Sequence, residues 1–296
     1  MINLKLGLAL SGGGIKGAAH IGVLQALAEE NINIDCISGT SSGSIIASLF
    51  AVGYSPSEIL NIFKEYAKNI NYFSSKNIFK LLSGLISKRK ITITGFNNGK
   101  IIEEKVNELC NKKSINLIKD IKMPLIIPSV SLHDGTVYLF TSQNKLDRRS
   151  IKNNFIYKND IPIGKCVRAS ASFPGIFEPV TIDNDQLIDG GTRENIPWKE
   201  LKNLGANTTI CVVFDVIETK EKQYQNFIDI VDRSINLMMH ELELHELYKT
   251  DYVIRITLPK VSLLDYTKID EFYNLGYKET KKVISNIKLF LNNKIT

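Results

Sequence analysis

The sequence predicts an α/β protein in which a parallel sheet is covered by helices, and three observations carry that expectation. Short apolar runs at 4–10 and 34–38 have the length and makeup of buried parallel strands. Each run passes directly into a glycine-rich turn and then a helix of small residues, the rhythm of β-α-β-α. The whole chain, 296 residues with 44% apolar and 23% charged, is long enough to bury a sizeable core and excludes disorder as its dominant state. One domain over 1–296 is expected, with its motifs between about 4 and 214.

The elements follow in order. Residues 15–30 carry Ile21, Leu24, Leu27 and Ala28 at helical spacing, and 42–51 forms the helix after the second strand. Ser55, Pro56 and Glu58 read as a capping box with proline in the first helical position. The stretch 77–90 sets Phe79, Leu82, Leu85 and Ile86 among Lys76, Lys80, Lys88, Arg89 and Lys90. It reads either as an ordinary surface helix or as a segment lying in a lipid interface. A helix is expected over 99–110, and a hairpin over 124–132 and 137–141 around Asp134-Gly135. A short helix follows at 164–172, then a second hairpin over 177–182 and 186–188. Asn195 reads as the cap of a helix with Pro197 in its first turn. Strands at 208–214 and 252–258 and helices at 227–249 and about 269–291 complete the chain.

The net charge of +6 favours anionic partners without identifying them, and nothing indicates nucleic acid. The run at 4–10 is too short for a signal-peptide core and is broken by Lys5, and no run approaches the roughly 18 apolar residues of a spanning helix. Cys36, Cys110, Cys166 and Cys211 form no Cys-x-x-Cys pair and read as small buried hydrophobes. A cytoplasmic protein is expected, with peripheral contact to a membrane left open at 77–90.

The two turns carry the chemistry. Gly39-Thr40-Ser41-Ser42-Gly43 has the Gly-x-Ser-x-Gly form in which a strained strand-to-helix turn lifts a serine hydroxyl above the sheet edge. The alternative is a plain turn whose serines cap a helix. Gly12, Gly13 and Gly14, with Gly17 closing the turn, offer successive amides to a tetrahedral oxyanion. Lys16 either steers an anionic substrate or faces solvent. The same glycines match a dinucleotide fingerprint, but Asp35 opens the second strand where an acidic residue is wanted at its end. A P-loop fails because Ala18 follows Gly17. His20, His133, His240 and His245 occupy no catalytic turn and read as structural. Asp189, after an apolar run and before Gly190 and Gly191, is a better base for Ser41, against the reading of a simple Asp-Gly turn. No calcium-loop spacing is present and no metal or cofactor is expected.

Together these blocks resemble the patatin-like phospholipase family, and 169–179 and the run Asp189-Gly190-Gly191 with Asn195 and Pro197 resemble it further. The resemblance implies a three-layer fold with a central, mostly parallel, mixed sheet. It also implies a serine-dependent lipid acyl hydrolase of phospholipase A or lysophospholipase type acting through an acyl-serine. Carried over, Ser41 is the nucleophile, Asp189 the base, and Gly12, Gly13 and Gly14 the oxyanion hole, with phospholipid or lysophospholipid as substrate. Lys16 stands where the family commonly has arginine, which keeps the charge, for a substrate phosphate, and loses the planar fork. A general carboxylesterase or thioesterase with the same dyad is the alternative activity, and a nucleotide-binding or regulatory module the alternative class.

Overall fold

The computed structural model describes residues 4–69, 94–143, 154–217, 227–259, 261 and 265–295. In chain order the strands are β1 (Leu6–Leu10), β2 (Cys36–Gly39), β3 (Leu125–Ser131), β4 (Val137–Thr141), β5 (Phe155–Lys158), β6 (Val180–Ile182), β7 (Asp185–Asp189), β8 (Thr208–Ile217) and β9 (Tyr252–Pro259). The helices are α1 (Ala18–Glu29), α2 (Ser42–Ala51), α3 (Pro56–Asn69), α4 (Lys100–Asn111), α5 (Ile163–Ser170), α6 (Trp198–Asn203), α7 (Phe227–Glu246) and α8 (Ile269–Ile295).

The strands form one mixed sheet with β5-β4-β3-β2-β1-β8-β9 as its main path. From β3 to β9 the neighbours on that path run parallel, and β4 reverses the direction against β3. The expected mixed, mostly parallel sheet is therefore present. β1 is buried along its whole length, and alternation decides which face each side chain serves. Leu8 and Leu10 join Ile37, Ile210 and Val212 in the larger core, whereas Ala9, Cys36, Cys211 and Val213 meet Ile196, Trp198 and Leu201 on the opposite face.

The feature that places the site is a handover along one edge of β3. β2 pairs with the start of that edge, Ile37 opposite Leu125 and Ser38 opposite Ile126, and then turns away. β7 enters from the other direction and pairs Leu187, Ile188 and Asp189 with Ser131, Val130 and Ser129. Pro128, which has no amide to give, lies between the two paired stretches. The Ser129 hydroxyl donates to the Ile188 carbonyl at 2.7 Å and the Ser131 hydroxyl to Asp185 at 2.9 Å, which pins β7 in register. The ends of β2 and β7 thus meet over a common neighbour.

Local structure departs from expectation at several points. The first helix opens as a 3-10 turn, Gly14–Gly17, before α1 begins. The expected strand at 177–182 is reduced to β6, because Phe177 instead bridges to Asn97. β5, parallel to β4, was not foreseen: four residues with an intermediate-to-exposed pattern give no periodic signal. The capping box at Ser55 and Glu58 is formed in full, with the Ser55 amide on the Glu58 carboxylate at 2.7 Å. The basic stretch 77–90 lies outside the described residues.

Candidate active site

Ser41 occupies the turn between β2 and α2 with φ 54° and ψ −122°, a conformation that costs a non-glycine residue about 1–3 kcal/mol. The turn is enforced by what surrounds it. A Cβ on Gly39 would lie 2.3 Å from the Gly43 carbonyl oxygen, and one on Gly43 would lie 2.6 and 2.7 Å from the Leu10 and Ser11 carbonyls. Only glycine fits either position. The Ser41 amide donates to the Ser170 hydroxyl at 3.1 Å, and its carbonyl accepts the Ser44 hydroxyl at 2.6 Å.

Asp189 ends β7 and is wholly buried. Its Oδ1 accepts the Gly191 amide at 2.8 Å, while Oδ2 has no hydrogen-bond partner. Burial pushes its carboxyl up to about 6, opposed by the neighbouring Ser41 hydroxyl and the Gly191 amide. Ser41 therefore lies close enough to favour the ionised form, without a hydrogen bond of ordinary length in the resting site. That looseness is common where the catalytic contact tightens only around substrate. Gly190 allows this approach, since a Cβ there would sit 2.5 Å from the Pro128 carbonyl.

The glycine loop after β1 differs from expectation in one amide. Gly12 donates its N–H to Asn195 Oδ1 at 2.9 Å, so it is already engaged. The Gly13 and Gly14 amides take no protein acceptor among the described residues. A Cβ on Gly12 would lie 3.2 Å from the Ser41 Cβ, which places the loop against Ser41. Asn195 itself is no helix cap: Pro197 precedes α6, and the Asn195 side chain turns to the glycine loop.

A family model for patatin-like phospholipases matches residues 8–202, a stretch holding both turns and Asp189. The chain belongs to the patatin-like phospholipase family. It is 26% identical over 304 residues to lysophospholipase NTE1 of Meyerozyma guilliermondii, covering 93% of this chain and 19% of that protein. It is 28% identical over 208 residues to an uncharacterized NTE family protein of Mycobacterium bovis, covering 70% of this chain and 48% of that one. The chain thus spans about a fifth of the yeast relative and less than half of the bacterial one. Among solved structures, VipD from Legionella pneumophila shares the fold, with a TM-score of 0.52 at 15% identity over 96% of this chain and 67% of that chain.

The patatin-like site is supported from behind by residues that carried no signal in the sequence. Arg168, buried on α5, donates from Nε to the Asn98 carbonyl at 2.7 Å and from its terminal nitrogens to the Glu178 carbonyl at 2.6 Å and the Ser172 hydroxyl. It thereby holds the block whose Ser172 carbonyl accepts the Asp189 amide at 3.0 Å. Burial lowers the Arg168 pKa to about 10, opposed by the charges of Glu103 and Glu178. The 194–198 segment is tied to the elbow by Thr40, which donates to the Glu194 carbonyl at 3.0 Å, and by Ser38, which donates to the Pro197 carbonyl at 3.1 Å. Beside it lies a cluster of carboxylates, Glu243 buried and Glu194 and Glu246 half-buried, in which loss of solvent pushes Glu194 and Glu243 up to about 7 and Glu246 up to about 8.

Of the histidines, His20 is buried and neutral, its Nε2 on the Ser11 carbonyl at 2.8 Å, with its pKa lowered by burial to about 4. No histidine hydrogen-bonds Ser41 among the described residues. Lys16 is half-buried, and its charge favours the ionised form of Glu243. No group of side chains that would hold a metal occurs among the described residues.

Proposed function

We propose that the chain hydrolyses carboxylic esters of phospholipids or lysophospholipids through an acyl-serine. The observation that carries this reading is the buried Asp189 carboxylate, its Oδ2 unpartnered, beside a serine held at positive φ. Ser41 Oγ attacks the ester carbonyl carbon as its proton passes to Asp189, and the oxyanion is held by the Gly13 and Gly14 amides. Gly12 supports the loop in place of donating. Collapse breaks the acyl–oxygen bond, and the leaving alcohol takes the proton from Asp189. Water, deprotonated by the same carboxylate, then attacks the acyl-serine and releases the fatty acid. Lys16, at the mouth, serves the substrate phosphate. The lysophospholipase name of the yeast relatives supports the substrate class.

The test compares wild type, Ser41→Ala and Asp189→Asn on a micellar phospholipid, a lysophospholipid and a short-chain nitrophenyl ester, with released fatty acid measured by mass. Activity confined to wild type and to the lipids is expected. Equal hydrolysis by Ser41→Ala would remove the proposal, and preference for the soluble ester would turn it into a general carboxylesterase or thioesterase.

Peripheral membrane contact through 77–90, in an otherwise cytoplasmic protein, rests on the sequence pattern alone. No helix of the described residues is long and apolar enough to cross a membrane. Charged replacements at Leu82, Leu85 and Ile86 should weaken co-sedimentation with anionic vesicles; undiminished binding would exclude the contact.

A further inference from the structure

α7 lies beyond the residues that match the family model, and the sequence gives it no motif. Yet one face of it is built against the site. Met239, Glu243 and Glu246, at positions i, i+4 and i+7, share that face. A Cβ on Gly191 would lie 2.6 Å from the Met239 methyl group. Glu246 accepts the backbone amides of Asn195 and Ile196 at 2.8 and 2.9 Å, one on each carboxylate oxygen. Its carbonyl accepts the Trp198 indole at 2.7 Å. Glu243, itself buried, accepts the Asn195 side-chain amide at 3.0 Å.

The last contact has a consequence for the glycine loop. An asparagine side chain is an acceptor at one end and a donor at the other, and the two ends are nearly the same shape. In its ionised form, which the Lys16 charge favours, Glu243 only accepts and requires the amide nitrogen to face it. That leaves Oδ1 for the Gly12 amide, 2.9 Å away. Turned round, the Asn195 nitrogen would face the Gly12 N–H, donor against donor, and push the loop away from Ser41.

We infer that Glu243 and Glu246 are positioning residues for the oxyanion loop, Glu246 fixing the backbone of Asn195 and Glu243 setting the polarity of its side chain so that Gly12 is held against Ser41. This rests on the acyl-serine reading, and the distal part of the chain thereby completes a site whose reacting groups all precede it.

Glu243→Met keeps the volume and removes the acceptor, whereas Glu243→Gln can turn its amide to offer an oxygen. Both are compared with wild type by steady-state lipid hydrolysis, by the rate of Ser41 labelling with a fluorophosphonate, and by Tm. For Glu243→Met, kcat and labelling rate should fall about 10- to 100-fold with KM within about threefold, and Glu243→Gln should stay within about threefold of wild type. Labelling of Glu243→Met at the wild-type rate, a loss confined to KM or Tm, or equal impairment of the two variants would overturn the inference while leaving the acyl-serine reading intact. If Glu243→Met does not fold, Asn195→Ser tests the same link, and wild-type labelling by it would overturn the inference equally. Wild type that resists labelling would overturn both readings together.

Discussion

The two glycine turns are held in opposite ways. The elbow around Ser41 is fixed by backbone packing: its flanking glycines sit so close to the Gly43, Leu10 and Ser11 carbonyls that no side chain fits at either place. The loop at Gly12 is fixed from outside, through one side-chain amide supplied 183 residues later. The geometry at Ser41 is therefore set by close backbone contacts, and that of the glycine loop by one side-chain contact.

Substitutions should separate the two directly. Gly43→Ala drives a Cβ to 2.6 Å from the Leu10 carbonyl oxygen, backbone that cannot yield, and should cost about 3 kcal/mol or more, read as loss of soluble protein or a large fall in Tm. Gly12→Ala meets the Asn195 side-chain oxygen at 2.8 Å and the Ser41 Cβ at 3.2 Å, groups that can shift. It should fold with a modest fall in Tm and lose roughly 100-fold in kcat. If both variants unfold alike, the distinction between the turns fails.

The pH profile asks which turn's support limits the rate. Asp189, pushed up to about 6, accepts a proton only when ionised, so kcat/KM should fall roughly tenfold per pH unit below about 6 and level off above it. A limb near 7 that is absent from Glu243→Gln would assign the limit to the loop's support instead.

The smallest effect is on stability. Burial raises the Glu246 carboxyl from 4.5 to about 8 in the folded chain. Between those values the folded state binds the proton more tightly than the unfolded state does. Its contribution to stability therefore falls as pH rises through that window. The slope of Tm against pH between about 5 and 8 should be less negative, or more positive, in Glu246→Gln than in wild type. An unchanged slope would show that Glu246 is ionised throughout.

What could be read in the sequence follows the same division. Both turns and the strand-helix order are local patterns, in which residue size and spacing carry the constraint, and so the candidates Ser41 and Asp189 stood out. The entry of β7 along the edge that β2 leaves is a pairing between distant segments, with nothing at Asp189 to announce it. Asn195 looked like a helix cap because asparagine before Pro197 usually is one. Its contacts with Gly12 and Glu243 span 183 and 48 residues and leave no periodic trace. Glu243 and Glu246 carry no motif in the sequence, and only the fold sets them against Asn195.

The shared edge of β3 has one more consequence. Ser41 and Asp189 reach each other because two oppositely running strands are measured against the same neighbour, and strand pairing advances only in whole residues. A single insertion or deletion in β7 before Asp189 would turn its carboxylate to the other face of the sheet. The spacing between Ser41 and Asp189 in this chain is quantised: chain-length variation in the tip joining β6 to β7 leaves it untouched, and one step within β7 abolishes it.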